Sequence, residues 1–244
     1  MRGWLLGFLL LIGFGAHAAD YAREKRWADE ITPSILVGEP VELTAGNRKF
    51  LAILTPAEKT RAGVIVIHGL GVHPDWNLIG VLRTGLPQAG YTTLSLQMPV
   101  LAATAQAEAY KPTYAEAAKR IQAGVDYLKQ RGVERIAIVS HSLGAAMTQN
   151  YLTRNPTAPI QAWVSIGISQ PTPYGKLKLP ILDLYGADDL PAVLKNAPAR
   201  GDELKTNPAS KQIVAPSTDH FFNNRDAELV KYVKDYLDSV FPAS

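Results

Sequence analysis

Short, mostly apolar runs alternate along this chain with longer stretches whose apolar residues recur at helical spacing. Val64 to Ile67 and Ile136 to Val139 are wholly apolar, while Ile160 to Ile168, with Trp163, Val164 and Ile166, and Leu179 to Tyr185, with Asp183 within it, are apolar runs that carry polar residues. They are rich in β-branched residues and read as strands buried on both faces of a sheet. Tyr91 to Gln97, stopped by Pro99, and Lys211 to Ala215 read as two more strands. Between them, Asn77 to Ala89 carries Leu78, Ile79, Leu82 and Leu86 on one face and closes at Gly90, as an amphipathic helix does. Pro112 to Lys129 predicts a longer helix with the stripe Ala117, Ile121, Val125 and Leu128, ending at Gly132. Thr113 with Glu116 three residues on predicts a capping box at its start. Helices are also expected from Leu143 to about Arg154 and from Ala227 to Val240.

The flanks are less regular. Val41 to Thr44 and Lys49 to Leu54, with Ala45-Gly46-Asn47 between them, predict an antiparallel hairpin at the sheet edge. Asp20 to Pro33 reads as a short helix or a loose lead-in, and Val100 to Tyr110 as a short helix or a loop over the site. Leu190 to Asn196 predicts a helix, and Lys195 to Pro208 a loop. Strand–helix alternation of this kind predicts an α/β fold with a mostly parallel, doubly wound sheet. Ser169 to Lys178, between two strands, has room for a Pro-rich turn and not for a large lid.

Composition narrows the setting. The 244 residues, 47% of them apolar, suffice for one sizeable core, here expected over residues 41–244 with a lead-in at 19–40. A net charge of +3 without a basic run interleaved with aromatics argues against nucleic acid as a partner. Arg2, the apolar run Trp4 to Phe14 and Ala16-His17-Ala18 have the layout of a secretory signal peptide over residues 1–18, cleaved before Ala19. The run is short for a bilayer span, so the expected product is exported, periplasmic or secreted, with no stable span after cleavage; an uncleaved anchor is the alternative. The chain has no cysteine, which excludes disulfides and thiolate metal ligands.

The chemistry gathers around Arg135 to Met147. A buried strand runs into Ser140-His141-Ser142-Leu143-Gly144, and a helix opens at Leu143. Small residues two before and two after a central serine suit a sharp strand-to-helix bend that projects its hydroxyl, making Ser142 the candidate nucleophile. Here the sequence resembles the α/β-hydrolase superfamily, whose elbow is written Gly-x-Ser-x-Gly; Ser140 stands where that pattern has Gly. The resemblance covers about Val41 to the C-terminus. It extends through Val64-Ile65-Val66-Ile67-His68-Gly69-Leu70-Gly71, and the N–H groups of Leu70 and Leu143 would then form the oxyanion hole. It also takes in Gly186-Ala187-Asp188-Asp189, where the acid falls on Asp189, with Asp188 the neighbouring alternative and Asp183 a weaker one. The general base would be His220, after the last strand, completing the order Ser, Asp, His. His68 reads as a structural turn residue, and His73 as a loop residue that either hydrogen-bonds locally or contacts substrate.

The resemblance implies a serine hydrolase acting on a small-molecule or envelope-derived acyl substrate, with no metal and no organic cofactor. His73-Pro74-Asp75-Trp76 together with Ser-His-Ser-Leu-Gly is similar to a group of exported bacterial hydrolase-like proteins, a likeness that names no substrate. Carboxylester, thioester and amide cleavage and glycan deacetylation stay open, as does a binding or scaffold protein that keeps the fold without turnover.

Overall fold

The computed structural model describes residues 19–242; residues 1–18, where a signal peptide is expected, lie outside them. Eight strands form one sheet in the order β1-β2-β4-β3-β5-β6-β7-β8. They are β1 (Glu39–Ala45), β2 (Arg48–Thr55), β3 (Ala62–Ile67), β4 (Tyr91–Leu96), β5 (Ile136–His141), β6 (Ala162–Ile166), β7 (Ile181–Asp188) and β8 (Lys211–Asp219). Strands β3 to β8 pair in parallel, whereas β1 with β2 and β2 with β4 pair antiparallel, so the expected hairpin closes one edge.

Side-chain alternation along the central strands sorts the core to two faces. Ile65 and Ile67 of β3 and Ile138 of β5 join Ile121, Val125 and Leu128 of α3 (Tyr114–Gln130) and Met147 of α4 (Leu143–Arg154). Val64, Val66 and Val139 turn the other way, onto Leu78, Ile79 and Leu82 of α2 (Leu78–Gly85) and Leu229, Val233 and Leu237 of α6 (Asp226–Val240). Buried runs between two helical layers make a doubly wound α/β sheet. Between β6 and β7 the chain makes one short turn at Tyr174–Lys176 and inserts nothing of lid size.

Five local expectations meet a definite answer. Asp20 to Pro33 is helical: α1 (Tyr21–Ile31) starts where the Asp20 side chain accepts from the Arg23 N–H at 2.9 Å. The stretch before α3 is a loop that coils into a 3-10 turn over Ala107–Thr113. That turn corrects the capping box, because its carbonyls already take the first N–H of α3. The Thr113 hydroxyl donates instead to the Tyr110 carbonyl at 2.7 Å, and the Glu116 carboxylate pairs with Arg120. The predicted loop from Lys195 is also corrected, since helix α5 runs Pro191–Leu204. Its inward stripe is Val193, Ala197, Arg200 and Leu204, and the buried arginine hid the apolar period. Strand β8 likewise continues to Asp219, delivering His220 directly from a strand end. Among the described residues no helix is long and apolar enough to cross a membrane.

Candidate active site

Ser142 sits between β5 and α4 at φ +54°, ψ −119°, a conformation that non-glycine residues rarely adopt and that costs on the order of 1–3 kcal/mol. The surroundings enforce it. Its N–H donates to the Ile166 carbonyl at 2.8 Å. A Cβ at Gly144 would stand 2.3 Å from the His68 carbonyl oxygen, so only glycine lets α4 approach β3 this closely. Ser140, the departure from the superfamily pattern, is buried and its Oγ accepts from Trp163 Nε1 at 2.8 Å. The bend is intact with serine at that place.

His220 Nε2 lies 3.0 Å from Ser142 Oγ, and His220 Nδ1 lies 2.6 Å from Asp189 Oδ1. A carboxylate oxygen accepts, so Nδ1 carries the proton and the Nε2 lone pair faces the serine hydroxyl. Asp189 is itself held by the Leu190 N–H at 2.7 Å and the Gly186 N–H at 3.3 Å. Asp188 is exposed at the end of β7. Asp183 lies within β7, wholly buried against Arg200. Of these three carboxylates, Asp189 is the one that meets the histidine.

The seat of the imidazole rests on residues that carry no mark in the sequence. Gly167 has φ +60°, and a Cβ there would lie 3.0 Å from His220 Cε1 and Nδ1. At Gly186 a Cβ would come within 2.0 Å of the Thr218 carbonyl oxygen, so this glycine lets β8 close on β7 just before His220. His141 is buried between the two serines of the elbow, and its Nε2–H donates to the His220 carbonyl at 2.9 Å. The two rings lie 4.6 Å apart. No sequence signal pointed to His141, because the elbow pattern leaves its position free. A glycine directly after the β6 run was the one available hint for Gly167.

Leu143 N heads α4 beside Ser142, and Leu70 N follows Gly69, where an added Cβ would lie 3.2 Å from the Ser142 Cβ. Among the described residues neither N–H donates to a protein acceptor. Two free donors beside a hydroxyl are what an oxyanion site requires. His68 shapes the turn, as expected: it is buried, its Nδ1–H donates to the Gly69 carbonyl at 2.9 Å, and its Nε2 accepts from the Met98 N–H at 2.9 Å. His73 keeps other company. Its Nδ1 accepts from the Asp75 N–H at 3.3 Å, and its ring stands edge-on to Trp27 of α1. Leu70, Leu190 and Phe221, each at or next in sequence to a member of the site, are exposed at its rim.

Burial drives His68 and His141 down to about 3, so both are neutral in the fold. Their folded values lie below the unfolded one. The stability they lend is therefore complete above about pH 6.5 and is lost as pH falls toward 3, where the unfolded chain takes up a proton at each. Urea unfolding should show it: the midpoint at about pH 5 should fall clearly below that at about pH 7. Equal midpoints would contradict the neutral burial of both rings.

A family model described as Protein of unknown function (DUF3530) matches residues 23–119 and 102–239, a span holding the elbow, Asp189 and His220. The chain belongs to that family. Among curated proteins none matches it. The fold of this DUF3530 protein is that of the α/β hydrolases. Est1E from Butyrivibrio proteoclasticus is 17% identical at TM-score 0.67, covering 83% of this chain and 99% of its own. A dienelactone hydrolase from Anabaena variabilis is 19% identical at 0.68, covering 84% and 98%. XC6422 from Xanthomonas campestris, described as an α/β serine hydrolase without lid, is 17% identical at 0.64, covering 86% and 97%.

Proposed function

We propose that the protein is an exported serine hydrolase that cleaves an ester-type bond through an acyl-enzyme. The observation that carries this reading is the unbroken hydrogen-bonded line from Ser142 Oγ through the His220 ring to Asp189. His220 Nε2 takes the hydroxyl proton as Ser142 Oγ attacks the carbonyl carbon. Asp189 holds the ring in the reactive tautomer and stabilises the imidazolium that forms. The Leu70 and Leu143 N–H groups receive the oxyanion, each contributing about 3 kcal/mol in comparable sites. His220 then gives its proton to the leaving oxygen. The same nitrogen next deprotonates a water, which releases the acid and restores Ser142. The substrate would be a small-molecule or envelope-derived acyl compound, met after removal of residues 1–18. Esters and thioesters stand before amides because an alkoxide or a thiolate leaves more readily than an amide nitrogen; an O-acetylated glycan is itself an ester.

A fluorophosphonate probe tests the nucleophile. We expect the wild type to be labelled on the peptide carrying Ser142, and His220→Ala to label far more slowly. A p-nitrophenyl ester series of increasing acyl length should then show turnover that His220→Ala loses. An unlabelled wild type that is inert across the series would point instead to a binding protein on a hydrolase fold.

A further inference from the structure

The loop that presents the Leu70 N–H is gripped from two sides. His68 ties its near end to the end of β4. At its far end, Gly71 turns the chain at φ +63°, and its carbonyl accepts from Arg23 Nη2 at 3.0 Å. Arg23 belongs to α1, outside the α/β core. Its other terminal nitrogen, Nη1, donates to the Leu101 carbonyl at 2.7 Å, so one guanidinium bridges the Leu70 loop and the segment after β4. The planar group stacks 4.4 Å from the centre of the Trp27 ring, and Trp27 meets His73 edge-on at 5.7 Å, which supports the same loop three residues past Leu70.

Helix α1 is anchored well enough to transmit this hold. The Asp20 N–H donates to the Val100 carbonyl at 2.6 Å. Glu24 is buried, accepts from the Val100 N–H at 3.2 Å and pairs with the fully buried Arg120 at 2.9 Å. The Tyr21 hydroxyl donates to Glu116 at 2.9 Å. A buried ion pair of this kind adds little net stability, but it fixes where its two elements sit.

We propose that α1 is the brace of the oxyanion loop and that Arg23 is its positioning residue. The inference rests on the serine-hydrolase reading above. An oxyanion donor acts through geometry, and a displacement of about 1 Å can cost about a hundredfold in rate. Arg23 touches no reacting atom. Its loss lets Leu70 N drift without disturbing the Ser142–His220–Asp189 line.

The test compares wild type, Arg23→Ala, Arg23→Lys and Lys25→Ala, the last altering an exposed pair with Asp29 on the same helix. Turnover of a p-nitrophenyl ester is expressed per serine titrated by fluorophosphonate, alongside KM, thermal midpoint and inhibition by a trifluoromethyl ketone. Arg23→Ala should lower kcat about tenfold to a hundredfold with KM within about twofold. It should weaken the ketone by a similar factor, because the tetrahedral adduct needs the donor as the ground state does not. Ethylguanidinium should restore part of the rate, Arg23→Lys should fall between, and Lys25→Ala should match wild type. Arg23→Ala with unchanged kcat per titrated serine, or with only its melting point lowered, would overturn the brace and leave the hydrolase reading standing. A wild type without turnover or labelling would overturn both.

Discussion

Ser142→Ala should lower kcat for any ester the protein turns over by about a millionfold, the scale on which a triad nucleophile is missed in comparable enzymes. The expectation follows from connectivity. Among the described residues, Ser142 Oγ at 3.0 Å is the one hydroxyl hydrogen-bonded to His220 Nε2. Without it the imidazole has no serine proton to accept and no covalent intermediate forms. Binding and the Leu70 and Leu143 donors would still favour attack by water, so a residual rate above the uncatalysed one is expected. KM should change little. Single-turnover kinetics with an active-site titrant check this directly, and a variant retaining a tenth of the wild-type rate would exclude Ser142 as nucleophile.

Asp183→Ala should cost about 3–5 kcal/mol of stability, because it breaks a buried pair by removing one charge and leaving the other. Asp183 and Arg200 are both 0% exposed at the side chain, with Arg200 Nε 3.0 Å from Oδ2 and 3.2 Å from Oδ1. Gln212 Nε2 at 2.8 Å and the Tyr174 hydroxyl at 3.1 Å complete the shell. Removing the carboxylate leaves a guanidinium sealed in the interior, over the Tyr185 ring at 5.7 Å and with the Val193 carbonyl, at 3.2 Å, as its remaining hydrogen-bond acceptor among the described residues. Urea unfolding should register the loss as a lower midpoint at unchanged slope. Asp183→Leu combined with Arg200→Met should recover much of it, because the penalty comes from stranding one charge. A double variant no more stable than the single one would mean that the pair holds α5 to β7 in some further way.

Much of this site could be read from residue order, and the reason is chemical. A strand that must be buried on both faces leaves a continuous apolar run, and an elbow that must bend sharply leaves small residues at fixed intervals. Ser142, Leu143 and Gly144 therefore announced themselves. His220 and Asp189 were found by their place after strands, and three-dimensional closure selects Asp189 over Asp188 by a single hydrogen bond of 2.6 Å. What stayed hidden works across the fold and not along it. His141 matters through the His220 carbonyl, 79 positions away. Gly167 matters through a ring delivered by β8. Helix α5 was cut short because its inward face carries Arg200, whose partner Asp183 lies on another element. Sequence alone leaves Asp20 to Pro33 between a short helix and a loose lead-in because Arg23 and Glu24 read as surface charges, although both reach into the body of the protein.

The indole of Trp163 gives the first position of the elbow a lasting constraint. Its N–H finds the Ser140 hydroxyl in a place where both are fully buried. Mutation to the superfamily's glycine would strand that donor away from water, at about 1–3 kcal/mol. Residues 140 and 163 are therefore one unit for any redesign of the turn. Exchange of Ser140 for glycine avoids that cost only when the tryptophan is exchanged, in the same step, for a ring that has no hydrogen to give.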